Sequence, residues 1–186
     1  VVKRVWNKGI SLLFCGLLIW TGWSQAAEKA SVLQFIFMTK ELFPGTEKIG
    51  VLIDKNDPQK ASLLEKLNRA GVANQVKIVV AEISDNTDVI QKFKSLIREY
   101  NIQVLMVLQE GGLFQDKVVR GYLVKNSVLQ KVPLVGPTPQ WVEEGACFSV
   151  SIEAGSLKLH VHPRTAEIFG LQVPEKYAGR TQFAAN

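Results

Sequence analysis

The chain has 186 residues, 47% hydrophobic and 21% charged, a globular composition that excludes intrinsic disorder, a coiled coil and a disulfide scaffold. Its 22 Lys and Arg against 17 Asp and Glu give +5, but Lys3, Arg4 and Lys8 fall in an opening stretch without acids, and beyond it 19 cations face 17 anions. An excess of +2 is too small and scattered to argue for nucleic acid or an anionic membrane, and the length suits one doubly wound core, not two full domains.

The three cations precede a 14-residue apolar run, Ile10 to Trp23, and then the small residues Ser24-Gln25-Ala26-Ala27. This is the three-zone pattern of a secretory signal peptide, and the run falls short of the ~20 residues of a spanning helix. Cleavage after Ala26 is expected, dividing the chain into a signal peptide, 1–26, and one exported lobe, 27–186. Phe14 before Cys15, with most of the apolar run after it, argues against a lipoprotein, and Val1, read as a non-AUG start, fits a bacterial source. Cys15 leaves with the signal, so Cys147 remains without a disulfide partner. The apolar run around it, with Phe148 and Val150, marks a buried thiol rather than a nucleophile.

Four strand-and-helix units follow in order. Lys48–Asp54 is an apolar strand; Asp57-Pro58 then reads as a helix cap and first turn, opening a helix with Leu63, Leu64 and Leu67 that ends near Gly71. Val76–Ile83 is the second strand, and Val89–Tyr100 a helix with Ile90, Phe93 and Ile97 on its buried face. Val104–Leu108, wholly apolar, is a strand covered on both sides. Gln109-Glu110-Gly111-Gly112 breaks it before a helix over 113–130 with Val118, Tyr122 and Leu129 inward. Val132–Val135 is the fourth strand, followed by Gly136-Pro137-Thr138-Pro139 and a short helix over 140–144. Strands over 149–153 and 157–161 flank a turn at Ala154-Gly155-Ser156, and His162-Pro163 starts a last helix stopped by Gly170. Short strands joined by longer helices predict an α/β, three-layer, doubly wound and mostly parallel sheet, with ligands at the carboxyl ends of its strands. The candidate ligand-binding residues there are Asp54, Asn56, Glu110, Gly111, Thr138 and Trp141, the last either exposed as a reporter of that end of the sheet or packed as a helix-to-sheet anchor.

No catalytic or metal site emerges, and no cofactor is expected. His160 and His162 alternate on a strand and share a face, but a metal needs a third ligand, and His162 reads as a helix cap. Glu143 and Glu144 point about 100° apart on a helix and read as solvated surface rather than paired acid and base. Nucleophile-elbow, phosphate-cradling and dinucleotide glycine patterns are all missing from residues 27–186. A phosphoacceptor receiver domain would need an Asp where the third strand ends in Leu108-Gln109.

Three segments nevertheless carry a resemblance. Leu33-Gln34 through Pro44-Gly45 precedes Lys48-Ile49-Gly50-Val51-Leu52; Val132-Pro133-Leu134-Val135-Gly136 precedes Trp141-Val142 and Gly145-Ala146; and Thr165-Ala166-Glu167-Ile168-Phe169-Gly170-Leu171 precedes Val173-Pro174. In order and wording these resemble the periplasmic substrate-binding proteins of ABC transporters, in the type I branch. The resemblance spans Leu33 to Tyr177 and implies an opening helix ending in Pro-Gly and the second lobe of a two-lobed plan. It implies a periplasmic, non-enzymatic protein that binds a small solute beside an ABC permease or another envelope protein. The first lobe and the longer return to it between Ala146 and Thr165 have no counterpart here, which implies a lobe adapted to stand alone. With half a pocket, such a lobe needs a separate partner or a homodimer to enclose solute; the alternative is an envelope accessory protein that uses the same surface for protein contact.

Overall fold

Every residue from Ile49 to Asp54 is buried, because this strand is paired in parallel on both sides and covered by helices on both faces. The computed structural model describes residues 28–185; the expected signal peptide, 1–26, lies outside the described residues. The elements in order are β1 (Glu28–Lys29), α1 (Val32–Leu42), β2 (Lys48–Asp54), α2 (Lys60–Ala73), β3 (Lys77–Ile83), α3 (Asn86–Arg98), β4 (Val104–Val107) and a 3-10 turn (Gly112–Gln115). Then come α4 (Lys117–Leu129), β5 (Leu134–Val135), α5 (Pro139–Glu143), β6 (Phe148–Glu153), β7 (Ser156–Val161), α6 (Pro163–Ile168), α7 (Glu175–Ala178) and β8 (Thr181–Phe183).

The sheet runs β3-β2-β4-β5-β6-β7-β8, with β1 paired to β6 off that path. From β3 to β6 neighbouring strands are parallel; β6 and β7 form an antiparallel hairpin, and β1 lies antiparallel along the last residues of β6. One core, under α1, α2 and the α6–α7 segment, holds Phe35, Met38, Ile49, Val51, Met106 and Phe148. The other, under α3, α4 and α5, holds Leu52, Phe93, Leu105, Phe114, Leu123 and Trp141. This is the doubly wound three-layer arrangement expected from the alternation.

Local chemistry sets the boundaries. Ser31 and Gln34 form a capping box: the Ser31 hydroxyl accepts from the Gln34 amide and the Gln34 side chain accepts from the Ser31 amide, satisfying two donors at the start of α1. Asp85 and Asp116 cap α3 and α4, and His162 caps α6 as expected, its Nδ1 accepting from the Thr165 amide. Helix α2 starts at Lys60 rather than at Pro58, because the Asp57 carboxylate and carbonyl close a tight turn onto Gln59 and Lys60.

Two helix faces differ from expectation. In α3 the buried residues are Val89, Phe93 and Leu96, with Ile90 at the surface, and in α4 they are Val119, Arg120, Leu123 and Ser127. Val118 and Leu129 point outward. The α4 face includes a buried guanidinium: Arg120 Nε and Nη2 donate to the two carboxylate oxygens of Glu144, which lies at the surface, at 2.6 and 2.8 Å, and Nη1 to the Gln115 carbonyl at 2.7 Å. Glu144 is exposed, as expected of a surface carboxylate, and from that surface position it also pairs with the buried guanidinium.

Candidate functional site

The chain leaves β2 for β3 on one side of the sheet and reaches β4 on the other side of β2. The strand order therefore reverses at β2 and β4, and their adjacent carboxyl ends form the crevice in which such sheets hold ligands. A groove of about 640 Å³ opens there. Its floor is apolar, with buried Ala30, Phe35 and Leu108; one wall is α2 and the turn before it, with Gln59, Ser62 and Lys66; the other is β1 and the loop after β4, with Lys29, Glu110 and Gly111.

The polar groups closest to the strand ends are already committed to each other. Gln109 Oε1 accepts from the Asp54 amide at 2.7 Å, and Gln109 Nε2 donates to Asp57 at 2.6 Å. The Asp54 carboxylate, itself buried, accepts from the amides of Asn56 at 2.9 Å and Leu113 at 3.1 Å. Residue 112 must be glycine for this: its φ is +61°, and a Cβ would stand 2.0 Å from Asp54 Oδ2. The network joins the loops after β2 and β4 into one unit.

Of the six residues expected to meet a ligand, Glu110 and Gly111 line the groove. Asp54 lies behind it, holding the loops, and Asn56 is an exposed turn residue. Thr138 begins α5, at a different strand end, without a capping bond. Trp141 is buried at 3% exposure rather than exposed, its ring centroid 6.3 Å from that of Phe114, because a β-carbon-free Gly136 lets it lie directly against the chain. Lys29, Ser31, Phe35, Gln59, Ser62 and Lys66 line the groove unforeseen; the Ser-x-x-Gln cap at 31–34 was the available signal for where α1 begins. Across the mouth Lys29 Nζ lies 3.0 Å from Glu110, with both side chains about half exposed, a pairing worth about 0–1 kcal/mol.

The cysteine and histidines lie elsewhere. Burial pushes the Cys147 thiol up to about 12, so it carries no nucleophilic thiolate near neutral pH. His160 Nε2 and Ser151 Oγ are 2.8 Å apart in the β6–β7 hairpin, and burial holds the imidazole below its usual pKa, opposed in part by Glu153. Among the described residues no group of three His, Cys, Asp or Glu is placed to hold a metal ion, and no helix is long and apolar enough to cross a membrane.

By sequence, no family model and no curated protein matches the chain. By structure it is similar to a conserved domain protein from Vibrio cholerae, at 19% identity and a TM-score of 0.71, over 84% of this chain and 61% of that one. It is also similar to the ligand-free, open form of a substrate binding protein with adhesive properties from Clostridium difficile, at 18% identity and a TM-score of 0.67, over 84% and 60% of the two chains. A third neighbour is an ABC domain in complex with L-Trp from Streptococcus pneumonia, at 13% identity and a TM-score of 0.67, over 82% and 61%. The chain thus spans about three-fifths of the length of these structures. Topology and these neighbours together show the fold, an α/β doubly wound, mostly parallel lobe that this chain shares with part of each of these structures.

Proposed function

We propose that this chain is a periplasmic solute-binding lobe, exported by a signal peptide ending at Ala26, and that it takes a small amphipathic solute in the groove over β2 and β4. The observation that carries the reading is the coincidence of that groove with the reversal of strand order. An amino acid fits the lining: Lys66 suits a carboxylate, Glu110 an ammonium group, and the floor of Ala30, Phe35 and Leu108 an apolar side chain. The neighbour crystallised with L-Trp supports that choice. The function is binding rather than catalysis, since the groups nearest the strand ends are spent on holding loops.

The groove is only partly enclosed, and ligand sites bury most of their ligand. A separate partner, an ABC permease or another envelope protein, or a second copy, supplies the other wall. That openness also favours a second reading, an envelope accessory protein whose groove face meets protein and no solute.

Thermal unfolding and calorimetry with L-Trp, the other amino acids and a panel of small solutes separate the two. A bound solute at a hundredfold excess over Kd adds about 2.7 kcal/mol, a rise of about 5–10 °C in a domain of this size, and Lys66→Ala with Glu110→Gln removes it. No stabilising solute in a strictly monomeric protein overturns solute binding and leaves the accessory role. Amino-terminal sequencing of the exported protein, expected to begin at Ala27, tests the signal peptide.

A further inference from the structure

Glycine within a helix costs about 1 kcal/mol relative to alanine, so an interior helical glycine is normally there to admit something close. Gly121 stands in the middle of α4, exposed, and a Cβ on it would meet nothing within 4 Å. No packing inside the lobe requires it. Val118, Gly121, Tyr122 and Lys125 are spaced i, i+3, i+4 and i+7, the four corners of a hole that receives a side chain from a facing helix. The hole is flanked by strongly exposed apolar groups, Val118 at 73% and, one turn beyond Lys125, Leu129 at 64%.

The charge along its α3 side and toward its carboxyl end is positive, with the Asp116 carboxylate at the amino-terminal end, accepting from the Val118 amide. Lys125 stands on α4, and Lys94 and Arg98 of α3 border the same interhelical groove as Tyr122. Among the described residues none of the three is in a salt bridge. We infer that the outer face of α4, with the adjoining edge of α3, docks a helix from an acidic partner protein, the Gly121 notch admitting an apolar side chain and the cations meeting carboxylates. A second copy fits poorly, because an isologous contact centred on Gly121 would bring like-charged lysines together. An anionic lipid surface has no use for a notch, and the face offers no aromatic anchor beyond the half-buried Tyr122. The surface covers the α3–α4 core, whereas the solute groove has its floor and α2 wall on the α1–α2 side, so the inference stands independently of the proposed function.

The test uses a synthetic helical peptide of about 18 residues, about 27 Å long, with a Leu/Ala seam flanked by Glu, and the same seam flanked by Lys. Amide NMR shifts and fluorescence anisotropy read binding to the protein. The acidic peptide is expected to bind, with shifts at Lys94, Gly121 and Lys125, and the basic peptide not to bind. The pair K94E/K125E should weaken binding at least about tenfold. Gly121→Leu, which improves helix propensity and so keeps the fold, should weaken it similarly by filling the notch. The inference is overturned if both peptides bind alike, if neither binds, or if Gly121→Leu changes nothing. It is equally overturned if α4 instead mediates self-association or adsorption to vesicles containing phosphatidylglycerol.

Discussion

Glu144→Ala should destabilise the protein by about 3 kcal/mol and Arg120→Met by only about 1–2 kcal/mol, although both break the same ion pair. The asymmetry follows from burial. The Arg120 side chain is 8% exposed and that of Glu144 31%, so each deletion leaves a different survivor. Without Glu144 the guanidinium stays buried with only the Phe114 and Gln115 carbonyls as acceptors, and stranding a buried charge costs about 3–5 kcal/mol, here toward the low end because Glu144 itself is partly wet. Without Arg120 the remaining carboxylate can turn to water, methionine fills much of the volume, and the loss reduces to the hydrogen bonds onto the 3-10 turn. The double variant Arg120→Met/Glu144→Ala should be more stable than Glu144→Ala alone, since no charge is left buried. Urea unfolding followed by circular dichroism, completed as a double-mutant cycle, measures all three, with a coupling of about 1–3 kcal/mol expected. Equal costs for the two single changes, or strict additivity, would refute the reasoning.

The β6–β7 turn places Ala154 at φ +48° before Gly155 at +73°, a pair of left-handed residues in which Asn-Gly is preferred. Ala154→Asn should therefore stabilise by about 0.5–1 kcal/mol, about 1–4 °C in thermal melts; an unchanged or lower Tm would contradict that conformation. With its thiol pushed up to about 12, Cys147 should be silent to a thiol reagent at pH 8 in the native state and react only as the protein unfolds, so a fast native reaction would show the site open. His160 is held below its ordinary value of 6.5 by burial. The unfolded chain therefore takes up a proton first as pH falls through 6.5, and His160 lowers stability progressively from there down to its native pKa. His160→Gln should flatten that part of the stability profile, and a slope unchanged by the substitution would place its origin elsewhere.

What the sequence disclosed followed the reach of each signal. The runs at β2 and β4 are apolar because both faces are covered, so composition alone revealed them. The expected α3 and α4 faces hold at Phe93, Ile97 and Tyr122, which pack on the core, and differ at Ile90, Val118 and Leu129, because each helix carries two neighbouring apolar rows, Ile90 beside Val89 and Val118 beside Val119. The choice between the α4 rows is made by Arg120, whose partner Glu144 stands 24 positions away, beyond any window of helical periodicity. Whether Trp141 is exposed or packed cannot be read from its own segment, because its burial depends on Gly136 beneath it and on Phe114, brought in from the loop after β4. β1 and β8, with two and three residues, are too short to show alternation and exist only through pairing, β1 with the end of β6 and β8 with β7 at the sheet edge.

The candidate site was legible as a location and not as a set of residues, and the reason is general to strand-end loops. A polar residue at the carboxyl end of a buried strand first has to satisfy the backbone amides of the loop it begins. Asp54 does so for Asn56 and Leu113, and Gln109 bridges Asp54 and Asp57. The polar groups that line the groove come instead from elements that approach the strand ends from outside the β2 and β4 runs: Ser62 and Lys66 one turn apart on α2, Lys29 on β1, and Glu110 one residue beyond the network. Residue type at the strand ends thus specifies how the loops around the groove are tied together, while the groove's polar walls come from α2 and β1, where helical periodicity and a two-residue strand give no sequence sign that a groove is there.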